Sequence, residues 1–104
     1  MKITFHDAIA QDLDDILTYL YEERPGWDEF FSAEFETLLD KIEHSPWIGK
    51  HAEESLPENC RRVFLRRFPY SLVYRVGRDE IVVVSIHHMA RNDLHWRSRL
   101  QNEK

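Results

Sequence analysis

The sequence predicts an α+β fold: an N-terminal strand, an antiparallel helical hairpin packed on a mostly antiparallel four-stranded sheet, and a short C-terminal helix, in one domain over residues 1–104. Three observations predict it. Apolar residues recur with the helical period between residues 9 and 42; runs rich in Val, Ile, Leu and aromatics fill residues 61–87; and Pro and Gly punctuate the boundaries. A length of 104 residues suits one core and is too short for two of ordinary size.

Each element has its own pattern. Lys2 to His6 alternates, placing Ile3 and Phe5 on one face of an opening strand. Ile9, Leu13, Ile16, Leu17 and Leu20 then form the stripe of an amphipathic helix with Asp7 as its N-cap, ended by Pro25-Gly26. Trp27, Phe30, Phe31, Phe35, Leu38, Leu39 and Ile42 repeat the period, so a connection this tight makes an antiparallel helical hairpin. Pro46 closes the second helix, and residues 45–59, with Gly49, Pro57 and two acidic clusters, read as a long surface loop. Arg61 to Phe68, Ser71 to Val76 and Ile81 to His87 read as a three-stranded meander, and Asn92 to Leu100 as a final helix with Asn92 as its cap and Leu94 or Trp96 packing back.

Composition narrows the function classes. Apolar residues at 42% and 13 aromatics supply a core and exclude a disordered or low-complexity chain. The longest aliphatic run, Ile81 to Val84, falls far short of the roughly 20 residues that span a bilayer, so no membrane role is expected. A lone cysteine, Cys60, and early charged residues in place of a signal segment suit a cytoplasmic setting. The net charge of −5 is unevenly spread. Residues 1–60 hold 15 acids against four Lys/Arg, while residues 61–104 hold ten Lys/Arg against four acids. Such a basic half either offers a surface to an anionic partner or neutralises the acidic half across the fold.

Strand alternation divides the meander into two faces. Val63, Leu65, Leu72, Tyr74, Val76, Val82, Val84 and Ile86 form the apolar set; Arg62, Phe64, Arg66, Ser71, Val73, Arg75, Ser85 and His87 form a face of guanidinium groups, an aromatic and an imidazole. That face suits phosphate binding and stacking, or an acidic, apolar partner segment. Ordinary solvated charge accounts equally for the arginines, and Phe64 is either a stacking residue or a core residue under the last helix. His87 and His88 are neighbours on a strand, point to opposite faces and cannot share one metal, so no metal is expected. His87 joins the arginines as a candidate acid or base, and His88 falls on the apolar side as a hydrogen-bonded core histidine. No Gly-rich phosphate loop, nucleophile elbow or Cys/His ligand spacing is present, and no cofactor is expected. Asp14-Asp15 and Glu22-Glu23 read as the solvent face of the first helix.

The stretch Arg66-Arg67-Phe68-Pro69-Tyr70-Ser71-Leu72-Val73-Tyr74-Arg75-Val76, followed by Ile81-Val82-Val83-Val84 and His87-His88-Met89-Ala90-Arg91, resembles the RelE/ParE toxin superfamily. The order of elements and the Pro-x-x-Gly segment at Pro46 to Gly49 carry the resemblance over nearly all of residues 1–100. It implies the toxin of a type II toxin-antitoxin operon, silenced by a cognate antitoxin through which alone it contacts DNA. RelE-like members cut messenger RNA on the ribosome, and ParE-like members poison DNA gyrase. Placed on the meander, one of the two strand lysines of RelE-like enzymes falls on Arg62 and the other on Phe64. An arginine falls on Ser71, another is matched by Arg91, and the C-terminal tyrosine has no counterpart beside Trp96 and Arg97. The resemblance is therefore closer to ParE, with gyrase binding through Arg91, Trp96 and Arg97, and antitoxin binding through Arg62, Phe64, Arg66 and Arg75. The alternatives are a ribosome-dependent nuclease using Arg62, His87 and Arg91, and a non-toxic module that kept the fold.

Overall fold

The computed structural model describes residues 1–91 and 95–101. Its elements are β1 (Lys2–Phe5), α1 (Ile9–Glu23), α2 (Trp27–His44), β2 (Lys50–His51), β3 (Cys60–Phe64), β4 (Tyr70–Val76), β5 (Glu80–His88) and α3 (Arg97–Gln101). The strands form one mixed sheet in the order β1-β5-β4-β3-β2, with β1 parallel to β5 and the other pairs antiparallel. The sheet has five strands where the sequence predicts four. The extra one is the two-residue β2, inside the stretch expected to be pure loop, which pairs Lys50 with Arg62 and His51 with Arg61. So short a strand carries no alternation signal.

The hairpin forms as its periodicity predicts, with differences at its ends. The N-cap position of α1 falls on Ala8, not Asp7, and has no side-chain cap bond. The Ala8 N–H instead donates to His6 Nδ1 at 3.0 Å, which satisfies the free donor where the chain turns out of β1. Gly26 joins the helices at φ +104°, a left-handed conformation that only glycine enters without strain, and its N–H donates to Asp28 Oδ1. Ile9, Ile16, Leu20, Phe31, Phe35 and Ile42 are buried against the sheet. Trp27 and Phe30, expected in the same stripe, remain exposed, with Arg24 over Trp27 at 5.1 Å, Phe68 edge-on to Trp27 at 6.5 Å and Arg67 over Phe30 at 5.9 Å.

A register shift in β5 overturns the predicted division of faces. Val73 pairs with Ser85 but Tyr74 pairs with Val83, so Val84 is an extra residue opposite no partner. Beyond that bulge the alternation of β5 changes phase. Ile81 and Val83 join Val63, Leu65, Leu72, Tyr74, Val76 and Ile86 under the helices, whereas Val82 and Val84 pack with Val73 and Trp96 in a second cluster. The face expected to be open is therefore covered by Trp96, with Ala52, Leu56 and Leu100 around it. The final helix begins at Arg97; its expected cap Asn92 and Leu94 lie outside the described residues.

The bulge also needs hydrogen-bond partners, because β1 ends beside it. Beyond the His6 N–H bond to Val83 O, the outer edge of β5 has no strand beside it among the described residues. Arg99 Nη1 donates to Val84 O at 2.9 Å and to Asp12 Oδ2 at 2.7 Å, and Arg99 Nη2 donates to Asp12 Oδ1 at 3.1 Å. One part-buried ion pair thus ties α3 to α1 and to the freed carbonyl.

The Pro46-to-Gly49 segment is fixed from the sheet. Tyr74 Oη donates to Pro46 O at 2.7 Å and accepts from the Gly49 N–H at 3.0 Å. A Cβ at Gly49 would lie 2.8 Å from Tyr74 Oη and 2.9 Å from Arg62 O. Gly49→Ala is therefore expected to destabilise the fold by about 1–3 kcal/mol, measured by urea unfolding, because Arg62 O is strand backbone that cannot yield locally. An unchanged midpoint would show that the segment is not clamped.

Candidate functional site

The two faces of the sheet carry different chemistry. On the Trp96 side, His87 is 6% exposed and its ring is held at both nitrogens, with Nε2 3.2 Å from Ser71 Oγ and Nδ1 2.8 Å from Ser85 Oγ. A neutral imidazole has one donor and one acceptor, and each hydroxyl rotates to supply the complement. Trp96, 0% exposed, lies nearly parallel to the ring at 6.4 Å between centroids, and His95 meets it edge-on at 5.5 Å. The Arg62 guanidinium sits over Trp96 at 5.7 Å. Burial lowers the His87 pKa to about 4, helped by His95, Arg62 and Arg91 and opposed by Asp12. The result is a neutral histidine sealed behind an indole.

On the other side, a groove of about 800 Å³ runs between α2 and the outer part of β3. Leu38, Ile48, Val63 and Phe64 give it an apolar floor, and Lys41, Lys50, Arg66 and Arg67 give it a cationic rim, while Arg62 lines it from a strand whose guanidinium lies over Trp96 on the other face; Glu34 is the one acid among its described lining residues. The edge of β3 is uncovered here because β2 pairs only with Arg61 and Arg62. Phe64, 46% exposed, therefore pairs with Ser71 of β4 on one side and stands beyond the reach of β2 on the other, at the groove. Arg62 Nε is buried and has no hydrogen-bond partner among the described residues.

The predicted site residues divide accordingly. Arg62, Phe64 and Arg66 come together at the groove. Arg75 does not: it pairs across the sheet with Cys60 and Val82 and lies by Lys2 and Arg78 at the β4–β5 turn. Arg91 is exposed, and Arg97 donates to Ser55 Oγ at 3.0 Å, which ties α3 to the long loop. Trp96, expected at a target-binding surface, is core and has no surface to offer. His88, expected in the core, is exposed and stands edge-on to Tyr70 at 5.2 Å, since it follows the last buried position of β5. Sequence reasoning missed Lys41, Lys50, Arg67 and Glu34 at the groove. A spacing signal existed for α2 alone, where Glu34, Leu38 and Lys41 recur at helical intervals; the remainder meets only through the fold.

The family model described as the ParE toxin of the type II toxin-antitoxin system parDE matches residues 3–93. No curated protein sequence matches. Among solved structures, a chain of the chromosomal ParDE toxin-antitoxin system from P. aeruginosa is 21% identical with a TM-score of 0.71, over 85% of this chain and 95% of that one. The isolated E. coli RelE toxin is 18% identical with a TM-score of 0.62, over 98% of both chains. A mutant of E. coli RelE in complex with a peptide of the antitoxin RelB is 17% identical with a TM-score of 0.62, over 99% of this chain and 94% of that one.

The depressed His87 pKa has a stability consequence. Between the ordinary value of 6.5 and about 4, the unfolded chain takes up a proton that the folded chain refuses. His87 is thus expected to contribute full stability above pH 6.5 and to lose on the order of 3 kcal/mol as pH falls to 4. Urea unfolding at several pH values should show a smaller decline for His87→Gln than for the unmutated chain. Equal declines would place the sensitivity elsewhere.

Proposed function

We propose that this chain, which belongs to the ParE toxin family of type II toxin-antitoxin systems, arrests growth by binding DNA gyrase in the cytoplasm, and that a cognate antitoxin silences it by lying in the groove between α2 and β3. The observation that carries the choice of binding over RNA cleavage is the state of His87. Cleavage by the neighbouring 2'-hydroxyl needs a reachable base, an acid for the leaving oxygen and cations on the phosphorane. His87 is the candidate base on that face, yet it is sealed behind Trp96 and has a pKa near 4. Phe64 and Ser71 stand where the resemblance puts two cations of RelE-like members, and the Ser71 hydroxyl is buried against His87.

The remaining cations suit recognition. Arg91 is exposed, and Arg97, part-exposed at the start of α3, donates to Ser55 Oγ; in this reading both reach the target from the protein's surface. Trp96 contributes from behind by fixing where α3 starts, so its role in this reading is to position Arg97. The groove supports the antitoxin assignment through its apolar floor and basic rim, which complement an acidic amphipathic segment. Any contact with operator DNA then runs through the antitoxin.

His87→Gln is expected to retain most growth arrest, because glutamine keeps a hydrogen-bonding side chain between Ser71 and Ser85 while proton transfer is not required. A nuclease relying on that imidazole would lose about 10²- to 10⁴-fold. Gyrase-linked DNA breaks without codon-position mRNA cuts should accompany arrest, and Arg97→Glu should weaken it. Collapse of toxicity in a stably folded His87→Gln, with Arg97→Glu silent, would assign the protein to the ribosome.

Antitoxin affinity is expected to fall from low to high salt, since several of its contacts would be to groove cations. Titration calorimetry at two ionic strengths checks this. A salt-independent constant would remove the electrostatic part of the assignment.

A further inference from the structure

The loop between β3 and β4 leaves two consecutive donors pointing at the groove. Within that loop the Leu65 N–H bonds to Tyr70 O and the Tyr70 N–H to Phe68 O. The N–H groups of Arg66 and Arg67 turn outward, and both donate to the Glu34 carboxylate of α2. Oε2 takes the Arg66 N–H, and the Arg67 N–H is shared between Oε1 at 3.2 Å and Oε2 at 3.4 Å. Successive backbone N–H groups flanked by guanidinium side chains form an anion seat. Glu34 is the one acid lining a groove whose other charged side chains are all cationic.

We propose that the Arg66 and Arg67 N–H groups are an anion-binding site that Glu34 fills in the unbound chain and that a carboxylate of the acidic antitoxin segment takes over when that segment lies in the groove. This rests on the reading of the groove as the antitoxin's seat. Two observations favour exchange over a fixed structural contact, and a third selects the occupant. The bonds are solvent-exposed, so water can replace Glu34 while the seat changes occupant. An acidic segment entering the groove meets Glu34 as its one like charge, and that repulsion is relieved when Glu34 leaves. The apolar floor of Leu38, Val63 and Phe64 beside the seat favours a polypeptide carboxylate over a nucleic-acid phosphate.

Amide NMR of Arg66 and Arg67 tests the exchange, using the cognate antitoxin of the proposed function and comparing the unmutated chain with Glu34→Ala and Glu34→Gln. The two amide protons should lie downfield in the free unmutated chain, move upfield in free Glu34→Ala, and return downfield when the antitoxin binds that variant. With its competitor gone, the antitoxin should leave Glu34→Ala about tenfold more slowly. Glu34→Gln keeps the side-chain volume and should shift the same way by less, which holds the test should the alanine variant loosen the loop. Contact at Leu38 and Phe64 with the two amides left upfield in both variants would overturn the exchange alone. An antitoxin that binds without perturbing Leu38 or Phe64 would overturn the groove assignment and the exchange with it. Recovery of the downfield shifts by inorganic phosphate and not by the antitoxin would reassign the seat to a nucleic-acid phosphate and overturn the proposal as stated.

Discussion

The extra residue in β5 is the constraint on which the two sides of this molecule depend. Without the register shift between Val73 and Tyr74, one alternation would run the length of β5 and put Val82, Val84 and Ile86 on a single face. With it, Ile81, Val83 and Ile86 serve the helical hairpin, and Val82 and Val84 need a cover of their own. Trp96 is that cover, and Arg99, three residues further along the chain, fixes the cover by donating to the Val84 carbonyl at the bulge. Asp12 then holds Arg99 from α1. A bulge, an indole and an ion pair form one mechanical unit, and His87 is buried because that unit closes over it.

The opposite edge of the sheet is shaped by a close approach. Gly49 can sit against the Arg62 carbonyl because it has no Cβ, and the Tyr74 hydroxyl locks both Gly49 and Pro46 in place. The chain is thereby delivered into β2, whose brevity is what leaves Phe64 uncovered. A longer β2 would pair the edge of β3 and fill the groove with the protein's own backbone. Burial also raises the Tyr74 pKa, which keeps the hydroxyl protonated and able to donate to Pro46 O.

Much of the fold was legible because the hairpin and meander obey simple periods. Ile9, Ile16 and Leu20, and likewise Phe31, Phe35 and Ile42, are buried where their spacing puts them. The phase error at Val82 and Val84 was invisible for a physical reason: four consecutive β-branched residues, Ile81 to Val84, satisfy either face, so sequence cannot show where one residue is inserted. The covered second face followed from the same ambiguity. At the groove, Arg62 and Phe64 were readable from strand alternation, whereas Arg66 lies past the end of β3 at Phe64, in a loop where the expected strand to Phe68 does not continue, Lys50 required knowledge of β2 and Glu34 required the packing of α2 against that loop. Arg75 shares the alternation of Arg62 but lies at the other end of β4, since alternation assigns a face and says nothing of position along it.

The uneven charge of the sequence resolves into unequal uses of arginine. Arg99 is committed to Asp12 and a backbone carbonyl, and Arg61 donates to Gly49 O and Glu58 O while lying over Trp47 at 5.3 Å. Both act as internal clamps, a task that suits the guanidinium because its several donors are fixed in one plane. Arg66 and Arg67 instead leave their side chains exposed, with the acidic helix α2 near only through Glu34. Had the basic half merely neutralised the acidic half, the rim of the groove would be matched by acids of α2, but Asp28, Glu29, Glu36, Asp40 and Glu43 are not among its lining residues. Concentrated like charge beside an apolar floor is costly for an isolated chain and is relieved by a partner of opposite sign. The charge asymmetry therefore leaves a rim that the acids of α2 other than Glu34 do not line, beside a sheet whose opposite side is held by the clamps around the bulge.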